Sequence, residues 1–188
     1  MLLIAALAVG GVVSNWRPIE GDRVDVRERP YIVAGQVGDS VSARSFEARL
    51  VSVRGARLLG IRSKGYETGG VWILVRVRLT ATTESTAIGY AALIDDQGRE
   101  FLQSNRFTQL LAAGGRTLQP GIPVEGEIAF EVPRDVATSL RLRVASPILD
   151  LRMDGMAEIA LPKTDTATID KWATAKEPVV MESPEVVS

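Results

Sequence analysis

A chain of 188 residues that is 46% hydrophobic, 24% charged and carries a net charge of −1 has the size for one domain with a sizeable core. That charge balance exerts no global pull on nucleic acid or anionic lipid. The absence of cysteine excludes disulfides and thiolate metal sites, and the absence of histidine excludes serine–histidine and cysteine–histidine catalysis and ordinary zinc sites.

The chain opens on MLLIAALAVGGVVSNW, with no charged side chain before Arg17. A helix over residues 1–16 would reach about 24 Å, short of the roughly 30 Å hydrocarbon core. A short membrane anchor, a cleaved signal and an apolar first strand all fit such a run; the anchor is the reading adopted here, with Trp16 at the interface. Arg17, Arg23, Arg27 and Arg29 would hold the following segment in the cytoplasm, but Glu20, Asp22, Asp25 and Glu28 are interleaved with them. Residues 17–30, RPIEGDRVDVRERP, read as an extended juxtamembrane spacer or a solvated edge strand.

From Tyr31 onward the apolar period is two. Strands are expected at Gln36–Ala43, Phe46–Arg54, Leu59–Ser63, Ile88–Asp95, Glu100–Gln103 and Glu158–Leu161. VWILVRVRL places Val71, Ile73, Val75, Val77 and Leu79 on one face, and Trp72, Leu74, Arg76 and Arg78 on the other. EIAFEV turns Ile128, Phe130 and Val132 inward and Glu127 and Glu131 outward. SLRLRV turns Leu140, Leu142 and Val144 inward and Arg141 and Arg143 outward. Turn signals stand at GYETGG, DDQG, AAGG, QPG and MDG. Residues 31–161 therefore predict an all-β antiparallel sandwich. Residues 162–188 predict a short helix and a flexible tail. Thr166 or Thr168 would cap the helix, Ile169, Trp172 and Ala173 would share one face, and Pro178 would end it. The valines of VVMESPEVVS could instead add an edge strand.

Five stretches occur in an order that resembles a family of exported bacterial domains of unknown function. These are VAGQVGDSVSARSFEARLVSV, GGVWILVRVRLTAT, AALIDDQGREF, LQPGIPVEGEIAFEVPRD and SLRLRV, spanning about Val33 to Val144. The family has an immunoglobulin-like, telokin-like fold and includes mycobacterial secreted immunoprotective antigens and many lipoproteins. The resemblance implies an immunoglobulin-like sandwich outside the cytoplasm and transfers no catalytic residue. Two departures stand out: Thr80 or Ala81 replaces the usual asparagine after the central strand, and the lipobox cysteine is missing.

Asp95, Asp96 and Glu100 around Gly98 form either a calcium-like oxygen cluster or, as preferred here, a hairpin turn. Glu127 and Glu131 lie roughly 13 Å apart on one strand and do not face each other as a glycosidase pair would; cross-strand pairing with Arg76, Arg78, Arg141 or Arg143 is their expected use. Trp72 and Leu74 are either covered from within the chain, for instance by the C-terminal helix with Trp172, or exposed to a partner. Arg76, Arg78, Arg141 and Arg143 read either as solvated salt-bridge ladders or as an anion patch; with Trp72, Leu74 and Trp172 they define the expected partner surface: Trp72, Leu74, Arg76, Arg78, Arg141, Arg143 and Trp172. Tyr66, before Gly69–Gly70, reads as an ordinary turn aromatic, with a loop-end contact as the alternative. The expected function is a non-enzymatic, membrane-tethered extracytoplasmic interaction module with a protein partner in the cell envelope, no cofactor, no metal and no nucleic acid. A carrier of a lipid or envelope precursor and a soluble cytoplasmic interaction domain are the alternatives.

Overall fold

The computed structural model describes residues 30–113, 115–146 and 155–188. The expected anchor, and the spacer up to residue 29, lie outside the described residues. Among the described residues no helix is long and apolar enough to cross a membrane.

Two sheets carry the fold. The first contains β1 (Tyr31–Gly35), β6 (Tyr90–Asp95), β7 (Glu100–Leu102), β10 (Leu140–Ala145) and β11 (Gly155–Ala160), in the order β1-β11-β10-β6-β7. The second contains β2 (Ser40–Ser42), β3 (Phe46–Ile61), β4 (Lys64–Ala81), β9 (Val124–Val132), β12 (Val179–Val180) and β13 (Glu185–Val186). Its order is β12-β3-β4-β9-β13, and β2 also pairs with β3. The two-residue strands β5 (Thr86–Ala87) and β8 (Thr117–Leu118) form a small ribbon.

The sheets pack face to face into a β-sandwich through the residues whose alternation marks them as inward. Ile73, Val75 and Val77 of β4 and Ile128 and Phe130 of β9 meet Leu93 of β6, Leu142 and Val144 of β10 and Ile159 of β11 in one core. All these side chains are essentially excluded from water. Full burial of each contributes roughly 1.5–3 kcal/mol.

The long β3–β4 hairpin departs from the sequence expectation in two places, both for the same reason. Phe46–Arg54 and Leu59–Ser63 belong to one strand, because register shifts between Leu50 and Ser52 and between Ala56 and Leu58 interrupt the period of two without ending the pairing. GYETGG, expected as a turn, lies inside β4: Gly65, Tyr66 and Glu67 pair with Gly60, Leu59 and Leu58. Its glycine pair falls in the bulge opposite Arg57. At Gly70 a Cβ would come within 2.2 Å of the Val132 carbonyl oxygen, so the close approach of β9 requires glycine there. The hairpin turns instead at Arg62–Ser63, where Arg62 has φ 55°.

A helix, α1 (Thr166–Thr174), follows the sandwich. Its cap is Asp165, not a threonine: the Asp165 carboxylate accepts from the Thr168 amide at 2.8 Å and from the Thr168 hydroxyl at 2.9 Å. Ile169 enters the main core and Trp172 lies against Gly55, where a Cβ would come within 2.2 Å of the indole ring. The last residues, expected as a flexible tail, are laid down on the second sheet. Val179–Val180 run parallel to Leu59–Gly60 at one edge, and Glu185–Val186 pair antiparallel with Val124–Glu125 at the other. The segment between them crosses the outer face of the sheet as a strap.

Candidate binding cleft at the hairpin end

Trp72 and Leu74 are covered from within the chain, but not by the helix. They form a second core with Ala56, Leu59, Ala129 and Met181, flanked by Tyr66 and Phe107. Trp72 is fully buried, and its indole Nε1 donates to the Tyr66 carbonyl at 2.7 Å. Trp172 packs against the main core instead, so the expected helix-on-Trp72 arrangement is replaced by cover from the strap and from the segment after β7. The physical reason is length: the helix ends at Thr174, and the residues after it reach across the sheet and seat Met181 on the Trp72 face.

The arginines expected as one patch are divided between the two sheets and are engaged with carboxylates. Arg76 and Arg78 both bind Glu125, at 3.2 and 2.8 Å, and Arg76 also binds Glu182 and Glu185 of the strap. Arg141 and Arg143 approach Glu158, at 3.6 and 2.6 Å. Burial disfavours the ionised form of Glu125, but hydrogen bonds from Arg78 and Arg76 outweigh it and hold the carboxyl below the usual range. Glu127, expected to point outward and pair with Arg76, Arg78, Arg141 or Arg143, faces away from the main core yet is only 1% exposed, because the strap covers it, and its arginine partner is Arg54, as that of Glu131 is Arg106. It accepts from Arg54 Nε at 2.6 Å, from Arg54 Nη2 at 2.8 Å and from the Glu182 amide at 2.8 Å. The hydrogen bonds to Glu127 are the leading cause that raises the affinity of Arg54 for its proton. Glu131 accepts from the Thr68 hydroxyl at 2.6 Å and lies 3.3 Å from Arg106.

Asp95 is built into its turn. Its carboxylate accepts from the amides of Gln97 and Arg99 and from Arg99 Nε at 2.6 Å, and Gly98 takes φ 79°. Burial opposes its ionisation, but these bonds prevail and keep the carboxyl below its ordinary value. No group of three or more carboxylates arranged to hold a metal occurs among the described residues.

The segment after β7 builds the concave surface. Gln109, 2% exposed, fastens it to β9: its Nε2 donates to the carbonyls of Ser104 and Ala129 at 3.0 and 3.1 Å. Phe107 then stacks obliquely on Tyr66 and Trp72, with ring centroids 5.1 and 5.9 Å apart. The Arg106 guanidinium lies 5.8 Å from the Tyr66 ring centre and 5.4 Å from that of Trp72. On one side of this aromatic wall is a cleft of about 690 Å³ at the end of the β3–β4 hairpin. Ile61, Tyr66, Phe107, Leu110 and Met181 line it with apolar surface; Arg62 and Lys64 bring positive charge; Ser63, Thr108 and Ser183 bring hydroxyls. A second cleft of similar volume on the other side is lined by Glu100, Glu131, Arg106 and Tyr90, among others. There the Tyr90 hydroxyl donates to Glu100; burial first, then that bond, pushes the phenol well above its ordinary range.

Of the expected site residues, Tyr66 lines the hairpin-end cleft and Trp72 supports its wall. Arg62, Lys64, Phe107 and Met181 were not signalled by composition or alternation. The one local sign was the turn IRSK, which has no glycine, asparagine or aspartate at its centre.

No family model matches the chain, and no curated protein matches it. Among solved structures, the chain is similar to the YjhA protein from Bacillus subtilis, with a TM-score of 0.47 at 13% identity over 66% of this chain and 98% of that one. It is also similar to an uncharacterized β-sandwich protein from Clostridium difficile 630, with a TM-score of 0.44 at 10% identity over 72% of this chain and 96% of that one.

Proposed function

We propose that the chain is a non-enzymatic recognition module of the cell envelope, tethered through residues 1–16 with its sandwich on the extracytoplasmic side. An immunoglobulin-like form of the sandwich is part of this reading; the division of the first strands between the two sheets, β1 in one and β2 in the other, supports it. The observation that carries the functional reading is a contrast of chemistry. The three buried carboxylates among the described residues, Asp95, Glu125 and Glu127, are each neutralised by arginine, whereas the hairpin-end cleft combines apolar surface with cations. Groups fixed in ion pairs hold a shape; a concave apolar surface with a few polar groups binds. The cleft also favours a second reading, in which the module carries a small amphiphilic ligand for the assembly it joins.

The absence of native cysteine makes location testable with single-cysteine variants. Asp96, with a side chain 70% exposed, is a suitable position. A membrane-impermeant maleimide added to intact cells is expected to label Asp96→Cys in the membrane fraction. Labelling that appears only after lysis would contradict the extracytoplasmic placement.

A further inference from the structure

We propose that the hairpin-end cleft binds a single-chain anionic amphiphile: one alkyl chain on Ile61, Phe107, Leu110 and Met181, and its phosphate headgroup at Arg62 and Lys64. This rests on the ligand-carrying reading above and adds the ligand class and the residues that select it.

Charge is the first argument. Arg62 and Lys64 enter no ion pair among the described residues, while the acids nearby already have partners. Glu67 binds Arg57 at 3.3 Å, and Glu182 binds Arg76. No carboxylate lines the cleft, so an incoming anion meets two cations and the hydroxyls of Ser63, Thr108 and Ser183 without an internal competitor.

The backbone at Arg62 is the second argument. Its φ of 55° is the left-handed region, which costs a non-glycine residue about 1 kcal/mol or more. Glycine would relieve that cost at a two-residue hairpin turn. An arginine there keeps a guanidinium at the mouth of the cleft at the expense of backbone comfort.

Shape and backbone hydrogen bonding favour an alkyl chain over a peptide strand. An extended peptide would dock by adding to a free strand edge. Here the Tyr66 and Glu67 carbonyls accept from the side chains of Trp72 and Arg106, and Leu59–Gly60 are paired with Val179–Val180. The cleft offers side-chain contacts, and its volume of about 690 Å³ lies within the range that encloses small ligands.

The test uses the full chain in neutral phosphatidylcholine nanodiscs and a diazirine-bearing dodecyl phosphate, with labelled residues mapped by mass spectrometry. Labelling is expected within 107–110 and 181–183. Loss of one charge-assisted contact is worth about tenfold or more in affinity, so Arg62→Gly and Lys64→Ala should each reduce labelling by about that factor. Arg62→Gly relieves the left-handed strain and should melt no lower than wild type, which separates lost binding from lost folding. If a neutral dodecanol probe labels the same residues equally well, the anionic assignment fails and the carrier reading survives. If neither probe labels the cleft, both fail. If an acidic peptide protects Lys64 from acylation while neither amphiphile labels the cleft, the ligand is a protein segment and the proposal is overturned.

Discussion

Removing the positive partner of Glu127 probes the strap and the second sheet together. Glu127 is 1% exposed and Arg54 is 35% exposed, joined by two hydrogen bonds of 2.6 and 2.8 Å. Arg54→Leu leaves a nearly dry carboxylate with one remaining donor, the Glu182 amide. Orphaning one member of a buried pair costs about 3–5 kcal/mol. Because a third of Arg54 already meets water, solvent can reach the orphan, and about 2–3 kcal/mol is the appropriate expectation. For a domain of this size that corresponds to a fall in Tm of roughly 5–10 °C. The assay is urea unfolding followed by tryptophan fluorescence, with the midpoint shifting at an unchanged slope. Arg54→Leu combined with Glu127→Leu removes both charges and leaves the Glu182 amide without its acceptor and the exposed Val180 carbonyl without the Arg54 donor. The double variant should return to within about 1 kcal/mol of wild type. A single variant that loses less than about 1 kcal/mol, or a double variant as unstable as the single, would show that Arg54 does not neutralise a buried charge at Glu127.

Three further expectations follow from the packing and the charges. Gly55→Ala drives a methyl into the Trp172 ring and should cost about 1–3 kcal/mol in thermal melts, while the same change in a Trp172→Ala background should cost far less. Met181→Ala empties the seat on Trp72 and Leu74, at about 2 kcal/mol, and hydrogen exchange should quicken across 179–187 while the β6–β10 amides stay protected. Asp95, Glu125 and Asp165 all have carboxyl groups held below their ordinary range, so their stabilisation is complete above the unfolded-state values and is lost as pH falls through the folded-state ones. Melting temperature should therefore drop on acidification below about pH 4 and change little between pH 6 and 8, where no imidazole is present to titrate; a steep change between pH 6 and 8 would count against this assignment of the titrating groups.

The inner face of the sandwich was legible because it depends on a local rule. Val71, Ile73, Val75, Val77 and Leu79 alternate without interruption, and all five are buried where alternation puts them. The same rule failed at β3, since each bulge inverts the alternation while cross-strand pairing continues. It also failed at Gly69–Gly70, where Gly70 accommodates the close approach of β9 and the pair does not reverse the chain. The outer face of the second sheet was illegible for a different reason. Trp72, Leu74 and Glu127 look exposed from their own strands, and their partners are distant in sequence: Phe107 and Met181 for the apolar pair, Arg54 and the Glu182 amide for Glu127. Only the three-dimensional path of the strap shows that these residues are inside. The hairpin-end cleft shares that origin: its apolar lining is drawn from β3, β4, the segment after β7 and the strap, and none of these segments is unusual alone.

Recognition at one end of the molecule is the central claim, and photocrosslinking in living cells tests it directly. A benzoylphenylalanine at Thr108 sits in the cleft wall, while one at Glu47, also exposed, lies roughly 45 Å away along β3. A discrete adduct is expected from Thr108, weakened by Arg62→Gly, and none from Glu47. Identical adducts from both positions, or an adduct from Glu47 alone, would contradict it.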